Sequence, residues 1–437
     1  METVTNLFKA LEATALENVG VCAAVVVCLV SIWILRRKPR DVGHSEYTYG
    51  KLYRFQVKHE YEMKNNILSG ITLFNWLQIL WRRLYDIDYG TYWARILFIT
   101  SMSCFNSAVS CVEWVLYGKY ISDQPINQRP VFILGHPRTG TTHLFNLLSR
   151  DVNRFTYTST LCAGFPGGYL LLKPYVGLLN GVIDKKRPMD NMALDLDCPQ
   201  EDELGTNVLS CGMSYYQAIV FMRNEKDYRR YITFENATEK EKSLWLNAFK
   251  YMCKKATYSS IKGQDPPSAP PRLLMKSPVH TGRIKFLLQL FPEAEFIYIH
   301  RHPYDVFLSA ARMADTAYWY SNLSVPCDAE IIEFILWQYE CLLDEYIEGR
   351  KMLSKNQIFE LSFDELNSNP LQKVEDIYQH FDWKGFQKSG VKSDIAAYLD
   401  SLKGYKKSTK RQELTDEQKR LIHRRWNKCF EEFHYEP

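Results

Sequence analysis

A glycine-rich segment between a buried strand and a helix constrains the fold of this 437-residue chain more than any other feature. The apolar run Val131–Leu134 closes on Gly135, the segment GHPRTGTT follows, and the next residues, LFNLLSRD, have the apolar spacing of a helix. Backbone N–H groups and the positive end of a helix bind anions at such a junction. The sequence therefore predicts a strand, an anion-binding loop over residues 135–142, and a helix.

This loop differs at one position from the nucleoside-triphosphate loop G-x-x-x-x-G-K-[ST]. Gly135 and Gly140 occupy the two glycine positions, but Thr141 stands where that pattern has lysine. Sites that cleave ATP use this lysine on the β- and γ-phosphates. Here the cation is Arg138, inside the loop, and the hydroxyls of Thr141 and Thr142 follow. Such donors suit a single 5'-phosphate that carries an attached leaving anion.

A second basic element follows another predicted strand, EFIYIH, at Glu295–His300. Arg301 comes next, and Ser309 lies eight residues later, about two helical turns on. Ligands of open α/β sheets bind outside the carboxyl ends of the strands. An ordinary surface ion pair between Arg301 and Asp305 is the alternative interpretation. Two anion sites at neighbouring strand ends would fit a nucleotide that carries phosphates at both ends of its ribose.

The rest of this region alternates strands with helices. Short apolar runs over residues 273–275 and 357–361 predict two more strands, and a helical pattern fills residues 282–291. Thr238 and Glu241 have the spacing of a capping box at the start of another helix. The alternation predicts an α/β fold in which a central parallel sheet is flanked by helices.

Composition narrows the class of protein further. Hydrophobic residues make up 46% of the chain and charged residues 24%, which excludes a disordered or low-complexity protein. The net charge of +4 is too small for binding nucleic acid through bulk charge. The 11 cysteines never have C-x-x-C spacing, so we expect mostly free thiols rather than a disulfide framework or a zinc site.

Four motifs resemble those of the sulfotransferases that use 3'-phosphoadenosine 5'-phosphosulfate (PAPS). FILGHPRTGTTHL is similar to their 5'-phosphosulfate loop and IHRHPYDVFLS to their 3'-phosphate motif, while CPQEDE and LLMKSPVH are similar to the broad branch found in bacteria and eukaryotes. The resemblance covers about residues 129–382 and implies a P-loop-like sulfotransferase fold. It implies that the 5'-phosphosulfate is held by Arg138, Thr139, Gly140, Thr141 and Thr142, and the 3'-phosphate by Arg301 and Ser309.

The same resemblance implies a basic loop near the carboxyl end that closes over the nucleotide. The candidate is GYKKSTKR, with Lys406, Lys407 and Arg411, although it departs from the better-known form of that loop. A solvated run of charges is the alternative.

Sulfuryl transfer requires cations that stabilise spread negative charge, and alignment of the acceptor with the leaving group. Arg138 and Lys276 are the candidate cations, Lys276 because it ends a predicted strand. The mechanism requires no metal ion, and the sequence offers no evident ligand set for one.

The catalytic base is left open between two residues. His280 is the first candidate, because imidazole titrates near neutral pH, with a helix-cap partner as the alternative role. Glu203 is the second, and it stands beside Glu201 and Asp202, although acids in a row often mark a helix amino end. His136 is a third possibility, more suited to shaping the loop.

The acceptor is predicted to be a hydroxyl or amine of a lipid-like or glycan molecule. Two other functions are weighed against this one. A P-loop kinase or NTPase would need the loop lysine and a strand that ends in a magnesium-binding acid, whereas EFIYIH ends at His300 and Arg301. A non-catalytic, membrane-bound nucleotide-binding protein would have the same binding residues as an enzyme.

The amino-terminal part is predicted to anchor the chain in a membrane. An uncharged run of 17 residues begins at Val19 and ends at Leu35, and a basic cluster follows it. This order favours a retained single-pass anchor over a cleaved signal and places the rest of the chain in the cytosol. In a eukaryotic cell the membrane would be that of the endoplasmic reticulum or Golgi.

Two further segments have membrane-like composition. The aromatic and basic segment that begins at Asn66 and ends at Tyr85 is suited to the headgroup layer. Residues 96–117 are predicted to form a helix packed on the core, with a second span as the alternative, because an asparagine and a glutamate within it would be costly in lipid. The predicted organisation is a tail and anchor (1–40), a helical membrane-proximal region (41–128) and a catalytic domain (129–437).

Overall fold

The computed structural model describes residues 53–180, 187, 192, 194–263, 269–387, 390–403 and 413–437, which all lie in one compact unit, Tyr47–Pro437. The predicted anchor between Val19 and Leu35 lies outside the described residues. Lys406, Lys407 and Arg411 of the predicted basic loop also lie outside them.

Five parallel strands form the central sheet. In chain order they are β1 (Val131–Leu134), β2 (Phe155–Thr156), β3 (Arg272–Lys276), β4 (Glu295–His300) and β5 (Ile358–Ser362). Their order across the sheet is β2–β3–β1–β4–β5, so Val131 lies opposite Leu274 on one side and Glu295 on the other. The structure confirms the four predicted strands, but the sequence does not predict β2, because two residues carry no detectable period.

Helices surround this sheet. Those of the described residues are α1 (Leu73–Arg83), α2 (Tyr89–Asp123), α3 (Thr141–Leu148), α4 (Thr160–Gly164), α5 (Tyr169–Leu172), α6 (Val176–Leu179), α7 (Asp202–Leu209), α8 (Gln217–Val220), α9 (Glu239–Ile261), α10 (Ile284–Leu290), α11 (Pro303–Thr316), α12 (Asp328–Arg350), α13 (Phe363–Ser368), α14 (Pro370–His380), α15 (Val391–Ser401) and α16 (Asp416–Glu432). Short 3₁₀ segments lie at Lys173–Tyr175, Met222–Tyr231, Pro278–Arg283, Tyr318–Tyr320 and Lys355–Gln357. The predicted capping box of Thr238 and Glu241 opens α9.

Side chains of β1 alternate between two hydrophobic cores, one on each face of the sheet. Phe132 stacks on Phe296 in one core, with ring centroids 5.6 Å apart, whereas Val131 and Ile133 belong to the other core together with Ile297. Helices α9 and α12 cover the first core, and α3 and α14 cover the second. Because both faces of the parallel sheet are covered, the predicted α/β fold is confirmed.

Helices α1 and α2, which precede the sheet in the chain, pack on the core that contains Phe132. The Tyr53 hydroxyl donates to Asp315 (3.1 Å), and Trp76 Nε1 donates to Thr100 Oγ1 (2.9 Å), so α1 lies against α2. Among the described residues, α2 is the helix that is long and apolar enough to cross a membrane. Its inner face is buried in the protein, as predicted for residues 96–117. The division of the chain at residues 40 and 128 stays a prediction.

Candidate active site

The glycine-rich loop joins β1 to α3 and lies close against the neighbouring strands. Gly135 has φ +143°, and a Cβ there would come within 2.6 Å of the Ile299 carbonyl oxygen. Gly140 has φ +104°, and its Cβ would lie 2.4 Å from the Phe363 ring. Both positions therefore require glycine, for backbone conformation and for space. The Thr139 hydroxyl donates to the His136 carbonyl oxygen (2.9 Å) and fixes the loop's shape.

The two basic motifs meet at the carboxyl end of the sheet. Arg138 Nε, from the loop, donates to Ser309 Oγ of α11 at 3.1 Å. Arg301 donates from a terminal guanidinium nitrogen to the Arg138 carbonyl oxygen at 3.4 Å. Because β1 and β4 are neighbours, the loops that follow them are adjacent. The predicted 5'-phosphate and 3'-phosphate residues thus lie in one continuous basic site.

Arg301 has capacity left for a ligand. Its guanidinium lies over the Phe363 ring (4.6 Å to the centroid) and pairs with Asp305 at 3.3 Å, the ion pair that the sequence offered as the alternative. The Nε atom is nevertheless buried with no hydrogen-bond partner among the described residues. A buried N–H without a partner costs free energy that an anionic ligand would recover. The residues present therefore fit a phosphate group at this end of the site.

Lys276 brings a third strand end to the loop. Its ammonium group lies at the carboxyl end of β3, 3.3 Å from Thr142 Oγ1 and 2.5 Å from Glu201 Oε1. Burial lowers the pKa of Lys276, although the negative charge of Glu201 offsets part of this decrease. Sulfuryl chemistry at the loop would thus have a second cation beside Arg138.

Glu201 is a site residue that sequence reasoning treated only as a neighbour of Glu203. Its carboxylate accepts from Lys276 and from the Tyr216 hydroxyl, and its side chain is 20% exposed. Burial alone would raise the pKa of Glu201, but the charge and hydrogen bond of Lys276, together with the Tyr216 hydrogen bond and the charge of Arg187, outweigh it and hold the pKa below its usual value. A carboxylate in this position is ionised at neutral pH and lies next to the loop.

His280, the first candidate base, lies inside the protein. It is fully buried, its Nε2 donates to Asp202 Oδ2 at 2.7 Å, and its ring packs edge-on against Phe132 and Phe249. Burial would raise the pKa of Asp202, but the partner His280 holds it below the usual value. Ser277 donates to the other oxygen of the same carboxylate at 3.1 Å. The hydrogen bond goes to the side chain of Asp202 and not to a backbone group at the start of α7, so it is not a helix cap, and the catalytic role of His280 stays a prediction that its burial does not favour.

Glu203, the second candidate base, has both oxygens engaged. Its carboxylate is completely buried and pairs with Arg283 through two bonds of 2.7 and 3.0 Å. Trp245 Nε1 and the Ser214 hydroxyl donate to it as well, at 3.2 and 2.6 Å. The arrangement stabilises the fold, and because the described donors engage both oxygens of a buried carboxylate, the geometry argues against Glu203 as the base.

A cluster of possible metal ligands also belongs to this interior region. Asp202, Glu203 and His280 offer atoms that lie within 4.8 Å of one another. The guanidinium of Arg283 would repel a cation bound there, because it already neutralises Glu203.

All nine cysteines among the described residues are free thiols, as predicted.

His136 shapes the loop, as the sequence suggested. Its Nδ1 donates to the Pro137 carbonyl oxygen at 2.7 Å, and its ring packs against Tyr339 with centroids 4.8 Å apart. Burial lowers the pKa of His136 to about 3, so the ring is neutral at physiological pH. A neutral, enclosed imidazole is poorly placed to exchange protons with an acceptor.

Comparison with known proteins agrees with these motifs. A model of the sulfotransferase family matches residues 130–388, more than half of the chain, so the chain belongs to the sulfotransferase family. Two curated relatives, omega-hydroxy-beta-dihydromenaquinone-9 sulfotransferase Stf3 of Mycobacterium bovis and of Mycobacterium tuberculosis, are each 27% identical over 367 residues, which cover 84% of this chain and 90% of theirs.

Solved structures share the fold. Sulfotransferase STF1 from Mycobacterium tuberculosis H37Rv is 17% identical with a TM-score of 0.56 and covers 82% of this chain and 93% of its own. Sulfotransferase STF9 from Mycobacterium avium is 17% identical with a TM-score of 0.54 and covers 89% of this chain and 94% of its own. These structures show the fold, whereas the match of the family model makes the chain a transferase of the sulfotransferase class, and the kinase or NTPase alternative is not favoured.

Proposed function

We propose that this protein transfers a sulfuryl group from PAPS to a hydroxyl of a lipid-like acceptor. The observation that carries the proposal is the contact between Arg138 and Ser309, which joins the two anion-binding motifs into one site. PAPS carries a 5'-phosphosulfate and a 3'-phosphate on one ribose, so a single donor would occupy both halves of such a site. An amine or a glycan hydroxyl is the alternative acceptor.

The chain's own residues would bind the donor at both ends. The loop that contains Arg138, Thr139, Gly140, Thr141 and Thr142 would hold the 5'-phosphosulfate, since it leads directly into the amino end of α3, where helix N–H groups and the helix dipole favour an anion. Arg301 and Ser309 would hold the 3'-phosphate. Lys406, Lys407 and Arg411 are proposed to close over the nucleotide. We assign no role to a metal ion in this step.

Lys276 would change partner during the reaction. In the structure its ammonium group pairs with Glu201 and lies 3.3 Å from Thr142 Oγ1. Negative oxygens bound at Thr142 would attract Lys276 away from Glu201 and toward the leaving group. The cation would then stabilise the charge that develops as the bond between sulfur and the 5'-phosphate oxygen breaks.

Glu201 is our choice for the base. Once Lys276 turns to the donor, the carboxylate loses the partner that holds its pKa low, and it becomes a better proton acceptor. The acceptor oxygen would form the new bond to sulfur while its proton passes to Glu201, and 3',5'-bisphosphoadenosine (PAP) would leave. Tyr216 would keep the carboxylate oriented through its hydroxyl hydrogen bond.

A lipid-like acceptor is supported by one relative and by composition. The name of the mycobacterial relative gives a hydroxylated menaquinone as its acceptor. Aromatic residues make up 14% of this chain, and apolar acceptors require apolar pockets. We also propose that the segment between Val19 and Leu35 attaches the protein to a membrane as a single-pass anchor.

A transfer assay tests the function directly. The full chain is incubated with PAPS labelled with ³⁵S and with membrane lipid or glycan extracts, and labelled products are separated by chromatography. We expect labelled lipid, and calorimetry should show PAP binding without magnesium. Absence of transfer to either extract, or ATP binding as tight as that of PAP, would refute the proposal.

A further inference from the structure

Helix α2 is apolar on its outer side. Trp93, Trp114 and Val115 are 65%, 71% and 73% exposed. The other large apolar side chains of the helix that are more than half exposed are Leu97, Phe105, Val112, Leu116 and Tyr120. Such contiguous exposure is unusual for a helix that faces water.

The inner side of α2 carries the polar groups instead. Arg95 donates to the carbonyl oxygens of Asn322 and Glu60, at 2.5 and 2.7 Å. Asn106 Nδ2 donates to the Ser69 carbonyl oxygen at 2.7 Å, and the buried carboxylate of Glu113 pairs with Lys255. Arg95 and Glu113 are the charged residues between Tyr89 and Gly118, and both are buried, so the outer face has no charge over this length.

Helix α1 adds a second apolar face beside the first. Phe74 and Trp81 are 72% and 77% exposed, and Tyr85, just after the helix, is 72% exposed. They lie on one side of α1, opposite its buried residues Trp76 and Ile79. At about 150 Å² per aromatic side chain, the six exposed aromatics of the two helices and Tyr85 present roughly 700 Å² of ring surface. A typical monomer has no patch above about 300–600 Å².

We propose that α1 and α2 form one lipid-binding surface that lies in the plane of a bilayer, with their outer faces among the lipids. Three features favour lipid as the occupant. Exposed tryptophan and tyrosine side chains suit the membrane–water boundary. An exposed basic residue, Lys119 on α2, stands near the end of the apolar face and can meet lipid phosphates. The uncharged outer face of α2 has no group that would need water.

The buried polar side of α2 is the reason for an in-plane orientation rather than a span. Buried contacts run from Tyr92 to Ile121, almost the whole helix. A spanning α2 would have to draw the protein packed along this side into the hydrocarbon, including the buried pair of Glu113 and Lys255. An in-plane helix keeps that side in the protein and buries the other about 5–10 Å into the lipid.

This surface lies close to the proposed base. Asn75 of α1 donates through Nδ2 to the Val208 carbonyl oxygen at the end of α7 (3.0 Å). Glu201 immediately precedes α7, whose eight residues span about 12 Å. We therefore place the entry of a lipid acceptor on the side of the protein where α1 packs against α7. This last step rests on the proposed function, whereas the lipid contact itself does not.

Native cysteines allow a test without altering the surface. Cys104 and Cys111 are exposed on α2, and Cys327, just before α12, is an exposed control. The full chain in vesicles of phosphatidylcholine and phosphatidylserine is treated with a charged maleimide, and modification of each thiol is measured by mass spectrometry. Relative to Cys327, we expect labelling of Cys104 and Cys111 to fall by about tenfold or more, and to recover when the protein is unfolded.

Two variants distinguish the in-plane helix from a span. Trp93→Cys and Val115→Cys place thiols on the same outer face of the helix, 22 residues and about 33 Å apart, which exceeds the ~30 Å hydrocarbon core. Both thiols should be protected if the helix lies in plane, whereas a span would leave at least one accessible to water. Unprotected Cys104 and Cys111 would overturn the proposal. The proposal would also be overturned if the two thiols stayed protected without lipid and a bismaleimide linked Cys104 to Cys104 of another molecule. In that case a second copy of the chain would cover the surface. Transfer activity is measured separately, so either proposal can fail alone.

Discussion

Replacement of Arg301 by alanine tests whether the two basic motifs share one ligand. The side chain is 22% exposed, its Nε is buried without a described partner, and its pair with Asp305 is 3.3 Å long. A hydrogen bond to a charged group contributes about 1.5–3 kcal/mol. At 1.4 kcal/mol per factor of ten, Arg301→Ala should weaken PAP binding roughly 10- to 150-fold.

Isothermal titration calorimetry with two ligands makes this measurement specific. PAP carries the 3'-phosphate and adenosine 5'-phosphate lacks it, so Arg301→Ala should lower affinity for the first and leave the second within about twofold. Ser309→Ala removes a neutral hydrogen-bonding group and should cost less, about tenfold at most. Equal losses for both ligands would show that Arg301 does not contact the 3'-phosphate, and the reasoning about a shared site would be wrong.

Four further predictions follow from the same geometry. Glu201→Gln should lower kcat by about 10²–10⁴ while calorimetry shows little change in PAP affinity; full turnover would return the role of base to His280. Glu203→Gln should mainly lower the free energy of unfolding, by about 3–5 kcal/mol in urea titration, because Arg283 keeps an uncompensated buried charge. Gly140→Ala should lower the melting temperature, since a Cβ lies 2.4 Å from the Phe363 ring and overpacking costs about 1–3 kcal/mol. His136 has its pKa lowered from 6.5 to about 3, so the unfolded chain binds more protons between these values and stability should fall as pH falls; His136→Gln should show a shallower decline in denaturant titrations.

Local sequence patterns were sufficient for most of the fold that positions the site. The apolar runs of β1 and β4 match their observed bounds, and the Thr238 capping box opens α9 as expected. These features depend on neighbours within a few residues, so a single sequence shows them. The strand β2 depends on pairing with β3, more than 100 residues away, and its two residues carry no local signal.

The same distinction between local and long-range information applies to the residues of the candidate site. Arg138 and Arg301 could be singled out because each follows a strand within a recognisable motif, although their ligand contacts stay predictions. The choice among the acids of PQEDE could not be made in this way. Successive residues of a helix point about 100° apart, so neighbouring acids face different surroundings. Only the folded chain determines which of them meets Lys276.

The sequence by itself determined the class of this protein through the resemblance of its short motifs to those of the sulfotransferases, because each motif is a continuous stretch of chain. The tertiary structure decided which acid lies at the loop: Glu203 pairs with Arg283 in the interior, whereas Glu201 meets Lys276. It also decided that α2 turns its polar residues inward and its aromatic residues outward. Burial and pairing of side chains depend on contacts between distant parts of the chain, and those contacts exist only after folding.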